Sequence, residues 1–159
     1  MVRSNQPQLY LSKPTGREST SNEYTSNNPS QQSIETFEDL DVWKHCVEIR
    51  KDIFDLVKKF PPEEKFRLSD QMIRASRSVT ANIAEGFGRF HYQESIQFCR
   101  QARGSLYELI DHLHVANERN WVSEESLTKQ REQILRGVKI LNGFIRYLSQ
   151  SKHRNRIDE

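Results

Sequence analysis

The chain has 159 residues, of which 35% are hydrophobic and 29% charged, with a formal charge of +2 and a mean hydropathy of −0.83. Those figures fit one globular domain and exclude a membrane span, because no apolar run approaches the roughly 20 residues that cross a bilayer. The opening MVRSNQPQLY lacks the apolar stretch of a secretory leader, so a cytoplasmic location is expected. Cys46 and Cys99 each fall within an apolar helical pattern, which suits reduced core thiols better than a disulfide.

Residues 1–33 are rich in Ser, Asn, Gln and Thr with few apolar residues, and read as a disordered extension. Their near-balanced charge does not make a basic arm. From Phe37 onward the apolar spacing is helical, with no strand-like alternation. A first helix is expected over residues 41–60, stopped by Pro61-Pro62. The second takes Ser69 as N-cap and ends at Gly86 and Gly88. The third spans residues 92–119, followed by the connection Asn120-Trp121-Val122. The fourth is capped by Ser123, with Glu124 and Glu125 at the positive end of the helix dipole. Its Leu127, Ile134, Val138, Leu141, Ile145 and Leu148 form a bundle seam. Long helices with short connections make an all-α, antiparallel up-down-up-down four-helix bundle over residues 34–150, followed by a frayed basic tail, 151–159.

The first helix carries more apolar surface than one seam uses: Val42, Trp43, Cys46, Val47, Ile49, Ile53, Phe54, Leu56, Val57 and Phe60, interrupted by Arg50. The surplus predicts a contact with another subunit or a partner, or else a helix deeply embedded under its own loops. Two polar lines flank the core. The second helix aligns Gln71, Arg74, Ser78, Asn82, Glu85 and Arg89; the third aligns Glu94, Gln101, Ser105, Glu108 and His112, thinned by Gly104. They are expected to meet as a hydrogen-bonded layer, with Arg74 or Arg89 compensating Glu85 and Glu108. Paired carboxylates can do acid–base chemistry, but no nucleophile or phosphate-cradling loop accompanies them in the sequence, so a structural role is expected rather than an enzyme.

Leu40-Asp41-Val42-Trp43, Phe60-Pro61, Gln71-Met72-Ile73-Arg74-Ala75 leading to Ser78, Asn82-Ile83-Ala84-Glu85-Gly86 and Gly104-Ser105-Leu106-Tyr107-Glu108 together carry a resemblance. Over about residues 37–150 the chain resembles the bacterial four-helix-bundle family encoded by intervening sequences within 23S ribosomal RNA genes. The resemblance implies a homo-oligomeric ring, commonly a pentamer, without enzymatic activity. That family is also similar to the accessory proteins of diversity-generating retroelements, basic rings that work with a reverse transcriptase and nucleic acid. The N-terminal extension departs from the compact family pattern.

Arg100, Arg103 and Tyr107 lie off the apolar face of the third helix, with His114 further along, and Arg67, Arg74 and Arg77 can extend the patch. Guanidinium groups attract phosphates and an aromatic ring stacks an unpaired base, so RNA is a fitting partner. No metal or cofactor is expected. Di-iron bundles need Glu-x-x-His on two helices, whereas His45-x-x-Glu48, His91-x-x-Glu94 and Asp111-x-x-His114 have the wrong order and placement, and His45 reads as solvated. Two functions follow: an oligomeric adaptor for RNA or an RNA-handling enzyme, or a protein-interaction scaffold with no nucleic-acid role.

Overall fold

Four helices account for most of the chain: α1 (Asp41–Val57), α2 (Leu68–Gly88), α3 (Tyr92–Glu118) and α4 (Glu124–Asn155). This computed structural model describes residues 34–89 and 91–155, without the side chains of 153–155. The expected N-terminal extension and residues 156–159 lie outside the described residues. Each helix packs on its sequence neighbours and α4 on α1, while across the diagonals no Cα atoms come within 8 Å among the described residues. The shared core centres on Ile53, Met72, Ile83, Leu106, Leu109, Ile134 and Leu141, each fully buried.

The helix ends follow local chemistry. The expected first helix stops one turn early, at Val57, and Phe60 leaves the helix to pack on Trp121 of the α3–α4 connection, with ring centroids 5.7 Å apart. Pro62 then opens a short 3-10 turn, Pro62–Glu64. Ser69 is not the cap of α2: the helix starts at Leu68, after Arg67, and Ser69 is buried inside its first turn. α3 closes on Asn120, whose φ of 60° places it in the left-handed region that Asn tolerates, with Trp121 N–H donating to Ala116 O. Ser123 does cap α4, its Oγ accepting from Ser126 N–H at 3.2 Å. α4 also continues past the expected boundary at residue 150: Ser151 is buried, and Lys152 Nζ donates to Gln93 Oε1 of α3 at 2.6 Å. Ser151 and Lys152 therefore pack on the bundle, and α4 runs to Asn155.

The surplus apolar face of α1 is mostly consumed within the subunit. Seven of its ten apolar residues are buried, Trp43 and Val47 are half-buried, and only Phe54 is exposed. A 3-10 turn, Phe37–Asp39, lays Phe37 edge-on against Trp43 at 5.2 Å. The Asp39 carboxylate fixes that turn by accepting from the amides of Thr36 and Glu35, which holds its pKa below the usual value. Arg50, the interruption in the apolar face, donates to Thr80 Oγ1 of α2 at 2.7 Å. His45 is not solvated: its Nε2 bonds Gln133 O of α4 at 3.0 Å, and its ring packs over Gly137.

Candidate nucleic-acid interface

The two polar lines meet only at their uncharged members. Ser105 Oγ donates to Ser78 Oγ at 3.1 Å, and Asn82 Nδ2 donates to Ser78 O and Oγ at 2.9 and 3.1 Å. The charged members are not in the layer. Glu85 and Glu108 are exposed, and each turns along its own helix, Glu85 to Arg89 at 2.6 Å and Glu108 to His112 at 3.5 Å. Arg74 likewise pairs with Asp70 at 3.7 Å rather than with a residue of α3. One helical turn brings an i,i+4 partner closer than the neighbouring helix does, so the expected charge compensation across the contact is replaced by compensation along each helix. Gln71 and Gln101 are exposed.

Close approach of α2 and α3 depends on Gly86. A Cβ there would lie 3.0 Å from Phe98 Cβ and 3.3 Å from Ser95 O, and Ser95 Oγ donates to Gly86 O at 2.7 Å. Ser95, buried and central to this crossing, was not singled out by periodicity; its signal is only that a small polar residue faces a glycine across the α2–α3 turn. Gly104, by contrast, is exposed, and nothing stands within 4 Å of where its Cβ would be. It thins α3 toward solvent, not toward α2. The two thiols sit deep in the bundle, unbridged, and burial pushes both Cys46 and Cys99 up to about 12.

The six candidate nucleic-acid residues divide into two sets on opposite flanks of α3. Ser105 turns to α2, whereas Arg103, two residues and 200° earlier, turns to α4, where its Nη1 donates to Asn142 Oδ1 at 2.8 Å. Arg67, Arg74 and Arg77 stay on the solvent side of α2, the first two beside Glu64 and Asp70. They do not extend the α3 patch.

What does extend it is α4. Arg103–Asn142 and Gln93–Lys152 fix an antiparallel register that brings Lys139 level with Tyr107 and Arg146 level with Arg100. Arg100, Arg103 and Tyr107 form one i, i+3, i+7 stripe; Lys139, Asn142 and Arg146 form another, and the two meet at the Arg103–Asn142 bond. Arg100, Lys139 and Arg146 are exposed and have no ion pair among the described residues. No Asp or Glu occurs between Glu94 and Glu108, or from Gln133 to Ile157. The amides that hold Arg103 and Lys152 carry no charge, and no carboxylate pairs with a cation of either stripe among the described residues. Tyr107 is 52% exposed at its centre.

The model of the 23S rRNA-intervening sequence protein family matches residues 38–143. The chain belongs to that family. The 23S rRNA-intervening sequence match takes in Arg100, Arg103, Tyr107, Lys139 and Asn142, and ends before Arg146 and Lys152. It also covers Ser78, Asn82, Gly86 and Ser105, which hold α2 to α3. No curated protein matches the chain. Among the described residues no helix is long and apolar enough to cross a membrane.

Proposed function

We propose that this member of the 23S rRNA-intervening sequence protein family is a non-enzymatic, RNA-associated adaptor that holds RNA against its α3–α4 face. The observation that carries the reading is the acid-free double stripe, in which Arg100, Lys139 and Arg146 are exposed without ion pairs and Arg103 is held by a neutral amide. Phosphates are the complementary charge, and each cation that meets one releases condensed counterions, so affinity falls steeply with salt. The same reading includes a homo-oligomer, in which each copy repeats the stripe; Phe54, 36% exposed on α1, remains for that contact. Sedimentation of the native chain over a concentration range tests the assembly.

The alternative, a protein-interaction scaffold without nucleic acid, is favoured by Phe66, which stands 84% exposed between Lys65 and Arg67 ahead of α2. Salt separates the two. Retention of a structured RNA that drops on going from about 50 to 200 mM salt, and is lost in K139E/R146E, supports the adaptor. Absence of RNA retention at low salt, with a salt-indifferent protein partner, supports the scaffold.

A further inference from the structure

Gly86 and Gly137 each have a reason inside the subunit: a Cβ at either would come within 3.0 Å of a neighbouring side chain. Gly104 has none. It sits in the exposed interior of a 27-residue helix, where glycine is a poorer helix former than alanine, and the space beyond it is open. Arg100 lies one turn before it and Tyr107 one turn after, on the same strip of α3, about 10 Å apart along the axis. The result is a shallow notch with a cation at one end and a half-exposed ring at the other, floored by bare backbone. Arg103 and Lys139 border it on the α4 side.

We propose that this notch seats one unpaired nucleotide of an RNA strand, with the base stacked on Tyr107, the sugar over Gly104 and the phosphate at Arg100. Arg103 and Lys139 take the neighbouring phosphates. An aromatic face accepts any unpaired base, whereas a duplex keeps its bases stacked inside and offers none to the ring. The notch therefore turns a generally basic face into one that prefers single strands or loops. This inference rests on the reading of the α3–α4 face as an RNA interface.

The test uses the full chain, a short fluorescent single-stranded RNA and the same RNA in a perfect duplex, titrated at low salt with wild type, Tyr107→Ala, Tyr107→Phe, Gly104→Gln and K139E/R146E. Wild type binds the single strand more tightly than the duplex. Y107A and G104Q weaken single-strand binding about 5- to 100-fold and leave duplex binding within about twofold, while Y107F, which keeps the ring, binds as wild type. G104Q fills the notch with a better helix former and melts no lower than wild type. If Y107A binds the single strand normally, or loses both probes equally, the seat is wrong. If G104Q breaks up the native assembly, the notch receives a second copy of the chain and the seat is again wrong. K139E/R146E separates the two levels: loss of both probes in that variant with no effect of Y107A leaves the interface standing and removes the seat. No loss of either probe removes the interface.

Discussion

On α2, Arg67, Arg74 and Arg89 each have a carboxylate about one turn away, at 3.7, 3.7 and 2.6 Å. On the α3–α4 face, Arg103 and Lys152 have amide oxygens, and Arg100, Lys139 and Arg146 have no ion-pair partner among the described residues. The two regions hold similar numbers of cations in opposite electrostatic settings. Around α2 the field is cancelled within a turn at three of four arginines, Arg77 having no ion pair among the described residues; across α3 and α4 it adds along two helices. Counting arginines does not locate a basic surface, and the distance to the nearest carboxylate does.

That contrast breaks most directly under charge reversal. K139E/R146E is expected to lower RNA affinity on the order of 100-fold at about 50 mM salt, and R67E/R74E only a few-fold; filter binding of both variants checks it, and equal losses erase the distinction between the faces. The glycines sharpen it through stability. Gly86→Ala is expected to cost about 1–3 kcal/mol because Phe98 Cβ and the Ser95 carbonyl are stiff neighbours, and Gly137→Ala less because Ile49 Cδ1 can rotate away. Gly104→Ala, with open space beyond it, is expected to gain up to about 1 kcal/mol. Urea midpoints rank the three.

The closed interior has a pH signature as well. The buried thiols keep their protons until about 12, whereas the unfolded chain gives them up near 9.0. Between those values the folded state binds more protons, so the stabilisation is complete below pH 9 and is lost as pH rises toward 12. At pH 10 the loss is on the order of 1 kcal/mol per thiol, and C46A/C99A is expected to lose correspondingly less stability between pH 8 and 10 than wild type. The smallest effect is on the compensated side: Glu85→Gln removes an exposed, solvent-screened i,i+4 pair and is expected to leave the urea midpoint essentially at the wild-type value.

Within-helix features were legible in the sequence. The α4 seam is buried as its spacing predicts, apart from half-buried Ile145, and the Ser123 cap and the Gly88 terminus follow from single residues acting on their own backbone. What crosses between helices was not legible. The partners of Arg103 and His45 depend on a register set by connection geometry and crossing angle, which periodicity does not encode. For the same reason periodicity does not reveal that Lys139 and Arg146, 39 and 46 residues after Arg100 in sequence, share its face in the fold. The surplus on α1 was real as composition, but a helix packed against both α2 and α4, with Phe37 folded over Trp43, has use for it inside the subunit.

The salt dependence of RNA binding by the native chain tests the central claim most directly. If Arg100, Arg103, Lys139 and Arg146 each meet a phosphate, log K for a single-stranded RNA falls linearly with log salt, with a total slope of about −3, half of it from each stripe. K139Q/R146Q makes that slope shallower by about 1.4. An RNA affinity that is absent at low salt, or a slope that the K139Q/R146Q change leaves untouched, contradicts the account.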